Sequence, residues 1–436
     1  MTDSSTPLAS RLGSRLDAVG RLELFGSGGR AAGDPRALAE ELVSRLRARG
    51  FGPGEVLAVV LPNGPEFAAA FIACVRLGVT FAAINPSLAP SEIQERVRAA
   101  DATGVLSAGG ALVRRRPNRQ PGGPCPTLIL FTSGTSGGAR AIALGELGLL
   151  SVVDSHHAAL GYPPGTRILG CLPWTHAFGF TLEFLMGVLN GARLRSVPPA
   201  AFDEILSADR PEVLFGVPRT VSAIPDPVLT SLQGGIVGGA PIRGLLRERL
   251  KRTRLCVGYG QTECSPGVTL GRPGEWERDD FLGRPLGCEV MLGQPDDDGE
   301  TELLVRGKNT ALGWLDGGRV RPLVNAQGWL ATGDLAIPAD DGGFVFQGRS
   351  DERFKLDNGR MVNPVPLELS FGERVLLIGT GLSMVQPLVR GDIPPDFHLP
   401  VPHRPPRTMP ETFWVACTTP SGKVSRRRAE ELFRSS

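Results

Sequence analysis

Residues 128 to 144 read LILFTSGTSGGARAIAL. An apolar run, Leu128 to Phe131, enters a segment of small hydroxyls and glycines; a cation follows at Arg140, and a second apolar run resumes. Thr132, Ser133, Thr135 and Ser136 offer hydroxyl donors, while Gly134, Gly137 and Gly138 let backbone N–H groups approach an anion closely. Arg140 adds a fixed positive charge. These are the parts of a loop that wraps phosphate. They do not form the mononucleotide-binding G-x-x-x-x-G-K-[ST] pattern, and no G-x-G-x-x-G stands nearby. Taken alone, the segment reads equally as a flexible glycine turn.

Other segments hold reactive side chains next to apolar runs. LPWTHAFGF (172–180) places His176 in a loop after a strand-like stretch. VGGAPI (237–242) and VGYGQTE (257–263) each end an apolar run in small residues, the second leading to Thr262 and Glu263. WLATGDLA (329–336) carries Asp334, and GRSDERFKLDNGR (348–360) carries Arg349, Asp351 and Lys355. TTPSGKVSRR (418–427) presents Lys423 in a turn. As a structural feature only, Lys423 beside Arg426, Arg427 and Arg428 is a solvated basic tail. His156 and His157 fall in a helical pattern and read as ordinary helix residues.

Positioning these side chains requires a scaffold, and the pattern supplies one. Residues 34 to 50 read as a helix with Asp34 as N-cap, Pro35 in the first turn, Leu38, Leu42, Val43 and Leu46 on one face, and Gly50 as the stop. A short buried strand (54–64), a largely buried helix (66–78), a second strand (80–86) and a helix at 91–101 follow, the last with a capping box expected from Ser91 and Gln94. Strand–helix alternation of this kind implies a parallel sheet covered by helices. Residues 114 to 126, RRRPNRQPGGPCP, form a basic, proline-rich connector without the interleaved aromatics of a nucleic-acid patch. The alternation resumes to about residue 270. From about 280 to 347 short segments with turn signals imply antiparallel strands, and a proline-dense stretch then precedes the basic C-terminus.

The chain has 436 residues, with 47 basic and 45 acidic side chains and a formal net charge of +2. That balance gives no reason to expect a nucleic-acid or membrane partner. No apolar run reaches the length of a membrane span, and the first twenty residues lack the apolar core of a secretory signal. Seven scattered cysteines with no C-x-x-C pair imply reduced thiols and a cytoplasmic protein.

The order and spacing of these segments resemble the acyl-adenylate-forming superfamily of acyl-CoA synthetases, peptide-synthetase adenylation domains and luciferases. The resemblance runs from about residue 35 to 430. It implies a large N-terminal α/β region of several subdomains (1–349), with helix-covered sheets and a β-rich end, followed by a small α+β C-terminal lid (350–436). It implies ATP, Mg²⁺ and either coenzyme A or a carrier-protein phosphopantetheine as cofactors, and a small carboxylic acid as substrate. By resemblance, Thr132, Ser133, Gly134, Thr135, Ser136, Gly137 and Arg140 close over the β- and γ-phosphates. Thr262 reaches the α-phosphate, and Glu263 helps to hold Mg²⁺. Gly238, Gly239, Ala240, Gly258, Tyr259 and Gly260 wall the adenine and acyl sites. Asp334 accepts from the ribose hydroxyls and Arg349 donates to the same sugar. Lys423, on the lid, bridges substrate carboxylate and α-phosphate; Asp351 is the hinge; the 355–360 stretch faces the thiol; His176 lines or gates the acyl pocket.

The chain departs from that pattern in places. Ala139 and Arg140 stand where the family has proline and lysine, and Glu146 lies near the family's helix-opening histidine. The region between Leu106 and Leu128 reads as little more than a connector, and the lid is condensed. Three activities fit: an ATP-dependent acid–thiol ligase; an acyltransferase moving an acyl group from CoA to an acyl carrier protein without ATP; and a non-catalytic homologue. Trp174, Phe178, Phe180 and Tyr259 favour an aromatic or short acyl acid over a long chain.

Overall fold

The helix Pro35–Ala48 forms where its end signals demand it. The Asp34 carboxylate accepts the Arg36 N–H at 3.0 Å, Pro35 spends no donor at the first position, and Gly50 turns the chain at φ 73°. Ala39, Leu42, Val43 and Leu46 are buried, whereas Leu38, expected on the same face, is 43% exposed. The buried stripe is therefore narrower than the sequence suggested. At the helix Pro90–Ala99 the cap also differs: Glu92, not Gln94, reaches back, accepting the Ala89 N–H at 3.1 Å. Pro90 occupies the first turn, which shifts the start of the helix ahead of Ser91.

The computed structural model describes residues 10–19, 23–25, 31–32, 34–114, 125–133, 139–196, 210–368, 371, 374–395, 397–418 and 424–435. The chain divides into two compact units, one of residues 1–290 with 304–331, the other of residues 291–303 with 332–436.

The first unit holds two sheets. In one, the order is Arg319–Arg321, Gly313–Asp316, Ala139–Leu144, Leu128–Ser133, Thr80–Ala83, Val56–Val60, Gly104–Ser107 and Leu112–Arg114. The central strands Thr80–Ala83 and Val56–Val60 run parallel, as the alternation implied, and Val56–Val60 is buried at every position. Residues 112–114 are more than connector: they pair antiparallel with Gly104–Ser107 as an edge strand. The rest of the expected connector, 115–124, lies outside the described residues. In the other sheet, Arg193–Ser196, Arg167–Gly170, Val213–Gly216, Gly234–Gly238 and Cys256–Tyr259 are parallel in that order. The chain then turns antiparallel through Thr269–Leu270 and Phe281–Pro285, matching the change of texture read near residue 280.

A continuous apolar core, including Phe67, Phe71, Phe81, Trp174, Phe180 and Phe184, packs between helices and sheets. These rings meet mainly edge-to-face, with Phe71–Phe180 centroids 5.0 Å apart and Phe67–Phe81 5.1 Å apart.

The helix Glu146–Leu160 contributes a buried histidine to this unit. His156 is 1% exposed, and its Nδ1 lies 2.9 Å from the Val152 carbonyl. Burial lowers its pKa to about 4, against a smaller opposing effect of that hydrogen bond. A depressed histidine pKa favours the unfolded chain once the unfolded imidazole begins to protonate, below about pH 6.5. Stability should therefore fall as pH drops from about 6.5 towards 4, with His156 accounting for about 2 kcal/mol between pH 7 and pH 5. Urea titrations at those two pH values check this. His156→Gln should lose that share of the acid sensitivity, and an unchanged pH slope would exclude the assignment.

The second unit pairs Leu330–Pro338 with Phe344–Arg349 in an antiparallel hairpin. Beyond it, Val375–Ile378 is antiparallel to Gln386–Arg390, which in turn runs parallel to Arg407–Met409. A parallel pair ordinarily needs a crossover helix. Here the link is the proline-dense stretch, and no helix occurs among its described residues; proline denies a helix both donor and room. Leu399 is buried and Phe397 stacks on Phe371 at 4.7 Å, so aromatic packing stands in for the helix. The helices Glu411–Cys417 and Arg426–Ser435 complete the unit.

No described helix is long and apolar enough to cross a membrane. No described cysteine forms a disulfide, and Cys74, Cys256, Cys264 and Cys417 are buried. Burial raises the Cys256 thiol to about 12 and the Cys288 thiol to about 11, which keeps both protonated and unreactive.

Candidate active site

The strands Leu128–Ser133 and Ala139–Leu144 form one antiparallel hairpin, with Thr132 opposite Arg140 and Ser133 opposite Ala139. The opening segment thus begins and ends in two strands paired with each other. Gly134, Thr135, Ser136, Gly137 and Gly138 lie outside the described residues, as does the Ser133 side chain. The residues that follow are defined: the Ala139 N–H donates to Glu95 Oε1 at 2.9 Å, and the Arg140 guanidinium lies over the Trp314 ring, 5.1 Å from its centroid. Trp314 comes from the neighbouring strand Gly313–Asp316, opposite Ile142. Stacking of this kind suits the flat guanidinium better than it suits a lysine ammonium.

Beside this hairpin sits the turn Thr262–Cys264, which packs against both of its strands. Thr262 and Glu263 are half-buried there, and the Glu263 carbonyl accepts the Ala311 N–H at 2.8 Å. Ser265 closes the turn in the left-handed region at φ 59°. The structure therefore brings the turn that carries Thr262 and Glu263 against the hairpin that bears the glycine-rich segment.

The same turn follows the C-terminal end of strand Cys256–Tyr259. Gly258 is in register with Gly238 at the end of the adjacent parallel strand. Ligands in parallel α/β sheets bind outside these strand ends. The glycines there are required first by the protein itself: a Cβ on Gly238 would lie 2.3 Å from the Gly258 carbonyl oxygen, and one on Gly260 1.2 Å from that of Pro266. Gly239 and Ala240 are exposed and form the open part of the wall, with Tyr259 half-buried beside them.

His176 occupies the loop after strand Arg167–Gly170. Its side chain is exposed. Partial loss of hydration and the Arg96 guanidinium both lower its pKa, so the imidazole is neutral at pH 7. Phe178 beside it is half-buried, 6.5 Å from Phe215. Trp174 and Phe180, expected to shape an acyl pocket, are 1% and 0% exposed and belong to the aromatic core. The hydrophobic gain of burying two large rings outweighed any role at a wet surface. His157 is a helix residue, its Nε2 3.0 Å from the Tyr162 carbonyl.

Sequence reading missed two polar residues that hold the His176 loop. Glu183 is fully buried and accepts three N–H donors, and Asn63 bonds the backbone of Leu172 and Trp174. The signal for Glu183 was present as a lone acid inside the apolar run FTLEFLMGVL. Asn63 read only as a turn residue.

In the second unit, Asp334 and Arg349 are cross-strand partners. Asp334 is 5% exposed and its Oδ1 accepts from Arg349 Nη1 at 2.9 Å, while Arg349 Nε donates to Asp351 Oδ1 at 2.9 Å. Burial works against the Arg349 charge, but the two carboxylates outweigh it and raise its pKa. Two residues on, Arg353 joins Asp296 at 2.6 Å and Glu300 at 3.1 Å, fixing the segment that follows Asp351. Lys355 and Arg360 are exposed on the short hairpin beyond.

Lys423 lies outside the described residues, but both ends of its turn are defined. Thr418 and Val424 form an antiparallel bridge, and the Ser425 N–H donates to the Cys417 carbonyl at 2.9 Å. Arg426 is buried against Glu368, with Nη1 2.6 Å from Oε1, and also donates to the Leu377 carbonyl. The three arginines are thus not one solvated tail: Arg426 is structural, Arg427 exposed.

The model of the AMP-binding enzyme family matches residues 33–121 and 115–315. The chain belongs to this family. Over 402 residues it is 25% identical to 4-coumarate–CoA ligase 5 of Oryza sativa subsp. japonica, covering 77% of this chain and 74% of that one. Over 369 residues it is 27% identical to feruloyl-CoA synthase of an Amycolatopsis species, covering 75% and 74%. A solved O-succinylbenzoate coenzyme A synthetase of Bacillus subtilis, in complex with ATP and magnesium ion, superposes with a TM-score of 0.77 at 17% identity, covering 96% of this chain and 98% of that one. The mixed α/β fold expected from the motifs is the fold of these enzymes.

Among the described residues no group of three or more His, Cys, Asp or Glu is arranged to hold an ion. A single half-buried carboxylate at Glu263, on a turn packed against the 128–144 hairpin, fits Mg²⁺, which commonly takes one or two protein oxygens and completes its shell with phosphate and water.

Proposed function

We propose that this AMP-binding enzyme is an acid–CoA ligase that forms an acyl adenylate. In the first step a carboxylate oxygen attacks the α-phosphorus of ATP, releasing pyrophosphate. In the second the thiol sulfur of coenzyme A attacks the acyl carbon, and AMP leaves with the C–O bonding pair while the thiol proton goes to solvent. Activation is needed because a free carboxylate repels a nucleophile and has no adequate leaving group.

The observation that carries this reading is the packing of the Thr262–Cys264 turn, which follows the C-terminal end of parallel strands, against both strands of the hairpin that carries the glycine-rich segment. Thr132, Arg140 and the glycine-rich segment would hold the terminal phosphates, Thr262 the α-phosphate and Glu263 a Mg²⁺. That ion would neutralise charge on the triphosphate and on the departing pyrophosphate. Gly239, Ala240 and Tyr259 would receive the adenine and Asp334 with Arg349 the ribose. Lys423 would act in the first step, and the exposed 355–360 segment in the second.

Coenzyme A is the proposed acceptor, in keeping with the CoA ligases and synthases among the relatives. A phenylpropenoic or other aryl acid is the proposed substrate class. Half-buried Phe178 and Tyr259, with the neutral His176, suit a flat acid, and the relatives named above act on 4-coumarate and ferulate by name.

ATP–pyrophosphate exchange over a panel of aryl, short-chain and long-chain acids tests the proposal. Exchange with an aryl acid, followed by AMP release that requires coenzyme A, is the expected result. No exchange with any acid, together with ATP-independent acyl transfer from a CoA thioester to a carrier protein, would replace the ligase with an acyltransferase.

A further inference from the structure

The loop that carries His176 is held by two side chains with no other evident task. Glu183 lies in the π-helical segment Gly179–Leu185, fully buried. Its Oε2 accepts the N–H groups of Cys171 at 3.0 Å and Leu172 at 3.1 Å, and its Oε1 accepts the Trp174 indole N–H at 2.8 Å. From the other side, Asn63 Oδ1 accepts the Trp174 N–H at 2.9 Å, and its Nδ2 donates to the Leu172 carbonyl at 2.7 Å. The Trp174 ring is further pinned by stacking on Phe184, with centroids 4.6 Å apart.

A buried carboxylate is expensive, and burial pushes Glu183 up to about 8 despite its three donors. Ordinary core residues would fill the space without that cost. What they would not do is satisfy two successive backbone donors and an indole at a point where strand Arg167–Gly170 has ended and no ladder continues. The local geometry is built around the carboxylate: a Cβ on Gly170 would lie 2.6 Å from Glu183 Oε1. A π-helical turn, with its extra residue, is a common way to redirect one side chain at a functional site. Only Thr175 separates the clamped Trp174 from His176, whose N–H donates to the Pro173 carbonyl at 3.1 Å and whose carbonyl accepts the Phe180 N–H at 2.8 Å. His176 therefore has a fixed backbone on both sides.

We infer that Glu183 and Asn63 are positioning residues, clamping residues 171–174 from opposite sides and so setting the direction of the His176 imidazole towards the acid substrate. The substrate half of this inference rests on the proposed ligase reading; the clamp itself does not.

Two measurements separate them. In resting protein, amide hydrogen exchange of the 171–178 backbone should accelerate about tenfold or more in Glu183→Gln and in Asn63→Ala, because each loses part of the clamp. Unchanged exchange in both would overturn the clamp whatever the enzyme does, and Asn63→Ala answers should Glu183→Gln not fold. In steady-state adenylation, Glu183→Gln should raise KM for the acid about tenfold while leaving KM for ATP and kcat within about threefold. In a His176→Ala background the same substitution should change the acid KM less than twofold, since Glu183 acts through His176. An equal effect in both backgrounds would overturn the positioning role. Wild-type protein with no exchange activity on any acid would instead sink the ligase reading, with the hydrogen-exchange result still deciding the clamp.

Discussion

Replacing Lys423 with alanine is expected to lower ATP–pyrophosphate exchange about 10²- to 10³-fold, the usual cost of deleting one charged donor to a transition state. When a carboxylate attacks a phosphate, two anions must approach, and negative charge on the oxygens about phosphorus grows as the new bond forms. An ammonium placed between them is worth more in that state than in the bound substrates, so the loss should appear in kcat rather than in either KM. The residues on either side of Lys423 are secured by the Thr418–Val424 bridge and by Arg426 against Glu368. The alanine variant should therefore fold as the wild type does.

The second half-reaction supplies the control. Given preformed acyl adenylate and coenzyme A, Lys423→Ala should make thioester within about threefold of the wild-type rate, since no carboxylate then meets a phosphate. Arg427→Ala, at an exposed position paired along its own helix with Glu431, should leave both steps intact. Equal losses in the two half-reactions would remove Lys423 from the specific role proposed here. Loss in Arg427→Ala as well would recast the segment as a general basic patch.

The scaffold was legible because its signals are local. Asp34, Pro35 and Gly50 mark one helix end to end, and the unbroken apolar run Val56–Val60 can only be a strand covered on both faces. The family was legible from motif order, not from any one motif: the letters of the 132–138 segment do not distinguish a phosphate grip from a glycine turn. What stayed hidden depends on long-range packing. Trp174 and Phe180 look like pocket residues beside a histidine, but whether a ring faces core or cleft depends on Phe67, Phe71 and Phe81, about a hundred residues earlier. Glu183 was hidden for the same reason. Its three donors sit nine to twelve residues upstream, on a turn whose unsatisfied N–H groups no periodicity reveals. Gly238 and Gly260 were readable as glycines with a purpose, but the purpose, close approach to Gly258 and Pro266, needs three dimensions.

Asp334→Ala is expected to lower kcat/KM for ATP about 10²-fold, the cost of leaving a bidentate acceptor out of a sugar site. Its carboxylate is buried and one oxygen already accepts from Arg349, so a ribose hydroxyl would meet an acceptor held in place before binding. The diagnostic measurement uses the ligand. Wild-type enzyme should prefer ATP to 2′,3′-dideoxy-ATP by roughly the same 10²-fold, because the analogue lacks the donors that satisfy the buried carboxylate. Asp334→Ala should accept both nucleotides equally poorly, and Asp334→Asn, which keeps one acceptor, should fall between. Discrimination that survives in Asp334→Ala would place the ribose elsewhere. The substitution also removes one of two carboxylates holding Arg349, so a stability loss of about 1–3 kcal/mol is expected from the half-paired cation. Because Asp351 still pairs with Arg349 at 2.9 Å, the hairpin should persist. A nucleotide preference that collapses in a folded protein can then be attributed to the lost acceptor and not to a lost fold.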